Sequence, residues 1–267
     1  MVSMTLREVA RPTPLDLERL FRQKFGDPAA TGWAPRRRHR FGYFTPADVY
    51  ESLVSSVVVD GCNWLDVGGG HNVFPENPRL AEALVARCSG MVAVDPSPNV
   101  EKNRFATERV QRLIEDYRTD RRFDLITMRM VVEHVDQPSA VADAVAGLLN
   151  PGGVLVVLTV NRLSPLTVLS RVVPFRLHHP IKAWIWGTEE EDTFPVRYKM
   201  NSRAALAGAF GGAGLTELLF CKLDDLSTWS RHNAMNYAEL MAWKILRSAG
   251  VSYPENCLLG VYGKPGS

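Results

Sequence analysis

The chain is poor in cysteine, with four in 267 residues, at positions 62, 88, 221 and 257. They form no CxxC pair and no histidine stands near them at metal-ligand spacing. Neither a zinc site, any other metal site, nor a disulfide framework is indicated, and the four read as buried thiols. There is little excess charge: 31 Lys+Arg against 29 Asp+Glu leave a net charge of +2. No strong field recruits nucleic acid or an anionic membrane, which excludes a basic binding module. Long hydrophobic runs are missing too. Apolar stretches such as residues 154–159 fall far short of the roughly 20 residues that cross a bilayer. The N-terminal MVSMTLREVA has no apolar stretch of the kind a secretion signal carries. A cytoplasmic protein with no transmembrane segment is expected. No internal repeat or low-complexity segment breaks the chain. Its length allows one large domain or a core with a modest appendage, since domains run to about 100–200 residues.

What is present is a series of short apolar runs with sharp punctuation. Residues 63–67 (NWLDV), 91–95 (MVAVD), 123–128 (FDLITM) and 153–160 (GVLVVLTV) are apolar with little alternation, as strands covered on both faces are. Between them, residues 78–88 and 139–149 carry helical patterns, the first ending at Ser89-Gly90 and the second at Asn150-Pro151-Gly152-Gly153. Strand and helix alternate at short spacing, which predicts a doubly wound α/β sheet with its ligand site outside the carboxyl ends of the strands. Late strands are expected at 216–221 and 257–262, and a helix near Ser202.

Three segments stand outside that alternation. Residues 1–60 carry two helical stretches, 15–25 and 47–59, joined by a Gly/Pro/Arg-rich connector, and read as a cap. Residues 161–200 form an insertion at a strand's carboxyl end, where α/β units usually spend about 2–6 residues, and read as a lid. Residues 224–250 look largely helical.

The most informative stretch is Trp64-Leu65-Asp66-Val67-Gly68-Gly69-Gly70-His71-Asn72, which follows a strand and is expected to lead into a helix. Glycines there allow a sharp turn and close approach to a ligand. Asp95 ends the next strand, where an acid accepts hydrogen bonds from ribose hydroxyls. A nicotinamide or flavin fingerprint wants a third glycine where Val73 stands. Asp66, beside the turn, would repel a diphosphate and attract a cation. The ligand is therefore expected to carry a sulfonium and an amino group.

At this point the sequence resembles the class I S-adenosylmethionine-dependent methyltransferases, over residues 41–160 and onward to the C-terminus. Five motifs carry the resemblance. Asp66 with Gly68, Gly69 and Gly70 matches the first, with Asn72 in place of a last glycine. Asp95 and Pro96 match the second, whose acid binds both ribose hydroxyls and whose next residue packs on adenine. Ile114-Glu115-Asp116 resembles the strand-end segment that reads the adenine edge. Phe123-Asp124-Leu125-Ile126, with Met128-Arg129-Met130 and Glu133-His134-Val135, resembles the fourth-strand motif that lines the methionine end of the cofactor. Leu149-Asn150-Pro151-Gly152-Gly153 is similar to the turn into the fifth strand. The resemblance implies S-adenosyl-L-methionine as cofactor and a seven-stranded, mostly parallel Rossmann-like sheet. In its terms residues 1–60 are a helical cap, 61–160 the cofactor-binding core, 161–200 the substrate lid, and 201–267 the completion of the sheet with an inserted helix.

Further residues compete for roles at the site. His134, expected at a helix start, is a candidate general base or a helix cap. Arg129, at a strand's carboxyl end, either grips a carboxylate or phosphate of the substrate or pairs with a nearby acid. Tyr43, in Phe41-Gly42-Tyr43-Phe44-Thr45, either offers its face or hydroxyl to the sulfonium or packs in the core. The run Arg36-Arg37-Arg38-His39-Arg40 reads as a solvated strip, with Arg40 an alternative cofactor contact. The insertion is apolar, interrupted by His178 and His179, which are candidate proton acceptors with His178 a candidate catalytic residue, and it reads as a hydrophobic substrate chamber, a homodimer contact, a membrane-surface patch or simple packing onto the core. Tyr198 resembles a position near the acceptor. The expected activity is methylation of a small, fairly hydrophobic acceptor at oxygen, nitrogen or carbon. The alternative is a non-catalytic cofactor-binding scaffold.

Overall fold

The computed structural model describes residues 8–30, 32–165, 167–168 and 194–266. Most of the insertion, including His178 and His179, lies outside the described residues.

Seven strands form one sheet: β1 (Asn63–Val67), β2 (Gly90–Val94), β3 (Glu108–Val110), β4 (Phe123–Arg129), β5 (Leu149–Val160), β6 (Thr216–Leu223) and β7 (Cys257–Gly263). Their spatial order is β3-β2-β1-β4-β5-β7-β6. Strands β1 to β5 run parallel and β7 runs antiparallel to both β5 and β6. The order reverses beside β1, so the crevice above β1 and β4 is the switch point at which such sheets bind ligands.

Helices cover both faces: α1 (Pro14–Phe25), α2 (Arg38–Phe41), α3 (Pro46–Val57), α4 (Pro78–Val85), α5 (Pro138–Leu148), α6 (Arg203–Gly212) and α7 (Asn233–Ser248). Strand alternation sorts the core into two layers. Trp64, Ala93, Leu125 and Val156 pack with Tyr50 and Leu53 of α3 and Leu80 and Leu84 of α4. Leu65, Val94, Ile126, Met128 and Val157 face the other way, onto Val141 and Val145 of α5 and Leu206 and Phe210 of α6.

Helices α1 and α3 begin with the same local device. Thr13-Pro14-Leu15-Asp16 and Thr45-Pro46-Ala47-Asp48 each form a capping box with proline at the first helical position. Both helices therefore start one residue earlier than their apolar periodicity suggests.

The basic run is a hub rather than a solvated strip. Arg38 is 1% exposed and pairs with Asp48. Arg37 donates to Asn233 and Asn236 of α7, His39 meets Glu18 of α1, and Arg40 lies over the Tyr237 ring. Lys24 of α1 adds contacts to Asp48 (3.3 Å), Glu51 (3.3 Å) and Glu76 (3.2 Å). The cap is thus tied together by paired charges in addition to the apolar face of α3, whose Tyr50, Leu53 and Val54 pack into the core.

Several boundaries differ from expectation. Strand β5 begins at Leu149, directly after α5, and the Asn150-Pro151-Gly152-Gly153 stop signal lies inside it, opposite an irregularity between Phe123 and Leu125. Strand β3 is only three residues long and too polar to stand out. Helix α4 stops at Val85, and α7 occupies only the second part of residues 224–250. The cysteines are less scattered than their spacing suggests: the Cys62 and Cys88 sulfurs lie 3.1 Å apart as free thiols. Cys88 is only half-buried.

Candidate functional site

Strand β1 delivers the chain into the glycine turn at the centre of the sheet. Gly68 takes φ +75°, and a Cβ on it would lie 2.2 Å from a Val131 methyl carbon, so only glycine passes here. A Cβ on Gly69 would meet Ala93 and Asp66 Oδ2, each at 3.0 Å. Asn103, fully buried, donates to the Gly69 carbonyl at 2.9 Å from behind. The turn does not run straight into a helix: residues 71–77 intervene before α4. Asn72 does not take a positive φ, a state found outside glycine only at Met130, Tyr198 and Glu255 among the described residues. Its side chain instead accepts from the Phe74 amide at 2.9 Å, a local turn that substitutes for glycine's freedom.

Asp66 is 2% exposed. Its Oδ1 accepts from the Thr127 hydroxyl at 2.7 Å, and its Oδ2 has no hydrogen-bond partner. Burial pushes its pKa up to about 7, against the opposing pull of Thr127 and Arg129. An orphaned carboxylate oxygen under a glycine turn is a ready acceptor for an ammonium group.

Asp95 stands just past the end of β2. Its Oδ2 accepts from the Gly70 amide at 3.0 Å and its Oδ1 from the Ser97 amide at 2.7 Å. A carboxylate offers about four acceptor sites, so each oxygen keeps capacity for a ligand hydroxyl.

A cleft of about 360 Å³ opens beside the turn, lined by Gly68, Asp95, Pro96, Ile114, Glu115, Met130 and His134, whereas Asp66, Gly69, Gly70 and Arg129 are not among its lining residues. That volume falls in the range of small-molecule and cofactor sites. Val67, Val94, Val131, Val135 and Val141 complete an apolar floor and wall, and Arg112, Leu113, Phe194, Pro195 and Arg197 its rim. Sequence reading missed both groups: the valines sit within strand and loop patterns that also signal core, and the rim residues are joined only by tertiary structure. A roomier hollow of about 520 Å³ lies between residues 8–23 and α3. It contains none of the glycine-turn or strand-end groups, so the smaller cleft is the candidate site.

His134 is not at a helix start; it belongs to a tight turn at 132–134, and α5 begins only at Pro138. Its Nδ1 lies 3.4 Å from the Pro195 carbonyl and its ring 6.4 Å from that of Phe194. The histidine thus stands at the cleft mouth beside the chain returning from the insertion. Arg129 is the last residue of β4 and half-buried. Met130 follows at φ +54° and lines the cleft.

Four further expected site residues lie away from the glycine turn and the cleft. Tyr43 is 1% exposed; its hydroxyl donates to the Asp224 carbonyl at 3.0 Å and accepts from the Leu226 amide at 2.9 Å. With its ring against Trp243, it locks the cap to α7 and has neither face nor hydroxyl left for a sulfonium. Met128 points into the layer beneath α5 and α6 because strand alternation turns it away from Asp66. Asp116 is exposed and outside the cleft, since residues 114–116 form a tight turn rather than a strand end and only Ile114 and Glu115 face inward. Tyr198 is half-buried and off the cleft wall, held by its amide on the Glu133 carbonyl at 3.1 Å.

Residues 15–218 match the family model described as a methyltransferase domain. The chain belongs to that family. It is a class I S-adenosylmethionine-dependent methyltransferase, and its cofactor is S-adenosyl-L-methionine. The orphaned Asp66 oxygen and the glycine cradle fit that cofactor's amino group and close approach. Among curated proteins, the chain is 31% identical over 180 residues to the ubiquinone biosynthesis O-methyltransferase of Xylella fastidiosa strain 9a5c, covering 56% of this chain and 70% of that protein. The protein of the same name from Xanthomonas campestris pv. campestris strain B100 is 30% identical over 146 residues, covering 48% and 58%. Solved structures show the same fold. A putative methyltransferase from Bacillus halodurans C-125 has a TM-score of 0.50 at 16% identity, covering 81% of this chain and 98% of that one. The YcgJ protein from Bacillus subtilis has 0.51 at 14%, covering 82% and 98%. Among the described residues, no helix of this methyltransferase is long and apolar enough to cross a membrane, and no cluster of three or more His, Cys, Asp or Glu is arranged to hold a metal.

Proposed function

We propose that this methyltransferase acts on a small, fairly hydrophobic acceptor, at an oxygen atom, in a chamber closed by residues 161–200. The observation that carries the reading is the cleft mouth: an apolar wall of valines ends at His134, Phe194 and Pro195, where the chain returns from the insertion. The name shared by the curated relatives, O-methyltransferases of ubiquinone biosynthesis, agrees with an oxygen nucleophile. In this reading residues 1–60 form the cap, 61–160 hold the cofactor and 201–267 complete the sheet.

S-Adenosylmethionine supplies an electrophilic methyl group that needs no further activation. The chain's own residues hold, orient and shield. Asp95 accepts from ribose hydroxyls, Pro96 and Ile114 flank the adenine, Glu115 meets its rim, and Asp66 takes the ammonium. Orientation of two reactants in a dry site is worth several kcal/mol of barrier. Where the acceptor hydroxyl must lose its proton, His134 at the mouth is the base within the described residues.

The test is release of S-adenosylhomocysteine from S-adenosylmethionine in the presence of simple phenols with and without an isoprenoid tail. Turnover that favours the tailed phenol supports the reading. Tight cofactor binding with no turnover on any of them points instead to a scaffold that carries a methyltransferase fold.

A further inference from the structure

We propose that Cys62 and Cys88 are an oxidation site, which a peroxide converts to a disulfide that closes β1, the glycine turn and α4 into one covalent loop. The chemistry needs neither the cofactor nor a methyl acceptor.

Cys62 precedes β1, Cys88 stands between α4 and β2, and their sulfurs lie 3.1 Å apart. A disulfide holds its sulfurs at about 2.05 Å, so an approach of roughly 1 Å completes the bond. The backbone around the two residues is already pinned face to face. The Ser89 amide donates to the Cys62 carbonyl at 2.9 Å, and the Gly61 amide to the Arg87 carbonyl at 2.7 Å. The Ser89 hydroxyl donates to the Gly61 carbonyl at 2.8 Å, and the Arg87 side chain reaches Asp60 at 2.7 Å and the Val58 carbonyl at 3.0 Å. Immediately beyond, Asn63 and Gly90 open the β1–β2 register. Cys221 and Cys257 have no such arrangement. Cys221 stands opposite Leu259 and Cys257 opposite Leu223, a diagonal of about 7–8 Å that a disulfide does not span.

The pair is also set apart chemically. A hydrogen bond from Cys88 holds the Cys62 thiol down at about 7 against the cost of burial, with Arg87 adding its charge, and the same shared proton pushes Cys88 up. Burial pushes Cys221 and Cys257 up instead. The thiolate is the form that attacks an oxidant, and the pair meets solvent at Cys88, which is half-buried. In the first step the Cys62 thiolate attacks one oxygen of hydrogen peroxide. The S–O bond forms, the O–O bond breaks, and the departing hydroxide takes up the proton that Cys62 gave to solvent. In the second step the Cys88 sulfur attacks the Cys62 sulfenic acid. The S–S bond forms, the S–O bond breaks, and hydroxide leaves as water with the Cys88 proton. Two thiols have then lost two electrons, and one peroxide has become two waters. The cross-link joins residues 26 positions apart, so it removes freedom from the unfolded chain and stabilises the fold.

The test compares the whole wild-type protein, reduced and after mild treatment with hydrogen peroxide, by thiol counting in denaturant, peptide mass mapping and thermal melting. The reduced protein has four free thiols. Treatment should lower the count by two, yield one cross-linked peptide pair that contains Cys62 and Cys88, and raise the melting temperature by at least about 5 °C. Dithiothreitol should reverse all three changes. Cys88→Ser should abolish the cross-link and the rise in melting temperature, and leave on Cys62 a sulfenic acid that dimedone traps. A wild-type protein that keeps all its thiols, or takes up oxygen as sulfinic acid at either cysteine, overturns the proposal and needs no variant to fold. So does a bridge between two molecules or one that involves Cys221 or Cys257, and so does a Cys62–Cys88 bridge that leaves the melting temperature where it was.

Discussion

The Thr127 hydroxyl accepts from Trp64 Nε1 at 2.8 Å and donates to Asp66 Oδ1 at 2.7 Å. An indole nitrogen can only donate, so the threonine oxygen accepts that bond and its own proton is free to meet the ionised carboxylate. That leaves Asp66 Oδ2 as the acceptor facing the glycine turn, on a group whose pKa burial has pushed up to about 7.

Cofactor affinity should therefore depend on pH. Below pH 7 the free protein holds a proton on Asp66, whereas an ammonium at Oδ2 favours the ionised form, so binding releases a proton. S-Adenosylhomocysteine affinity, measured by calorimetry, should fall by about tenfold between pH 8 and pH 6. Asp66→Asn should bind more weakly than wild type at pH 8 and lose the dependence.

The same shift acts on stability with the opposite sign from a salt-bridged acid. A carboxyl with a raised folded pKa binds more protons folded than unfolded between about pH 4 and pH 7, so its contribution declines as pH rises through that window. Asp66→Asn, which removes the buried charge, should raise the unfolding free energy at pH 8 by an amount on the order of 2 kcal/mol, and the melting temperature with it. A variant no more stable than wild type would show that the carboxylate is better solvated than its burial implies.

Gly68→Ala should both destabilise the protein and cripple cofactor binding. The added methyl meets Val131 at 2.2 Å on a backbone at φ +75°, which costs about 1–3 kcal/mol. Adding Val131→Ala should recover the steric share and leave the backbone share, a split readable by denaturant titration.

Lys24→Met removes the shared cation of the cap. Burial pushes Glu51 upward, and Asp48, despite the same penalty, stays below its ordinary range because Arg38 and Lys24 face it. Without Lys24 those buried carboxylates lose compensation, a loss of about 3–5 kcal/mol. Because Glu51 also accepts from Asn77 at 2.9 Å, next to the loop that follows the glycine turn, cofactor affinity should fall along with the melting temperature.

Asp95→Ala should weaken S-adenosylhomocysteine binding by at least about tenfold, since it removes the ribose acceptor and frees the Gly70 and Ser97 amides together. Asp95→Asn keeps one acceptor oxygen and should lose less.

The sheet and its cofactor end were legible in the sequence because their signals are local. Buried parallel strands must be apolar on both faces, a ligand-cradling turn must be glycine, and the acids that meet a cofactor must sit at strand ends. The positions of Asp66, Gly68 and Asp95 at the ends of β1 and β2 could therefore be read from the sequence. Tertiary structure decided everything that depended on which way a side chain turned or what it met. Met128 and Arg129 are neighbours in sequence, but strand alternation sends one into the core and leaves the other on the face of Asp66. Tyr43 read equally as a ligand contact or as core packing until its hydroxyl met the Asp224 carbonyl and Leu226 amide. The basic run read as a solvated strip because charge patterning counts charges and not their partners, which lie in α1, α3 and α7. The sequence thus determined a cofactor-binding sheet; how its cap is held down, and that Asp66 keeps an unpartnered oxygen beneath the glycine turn, only the packing of distant segments decided.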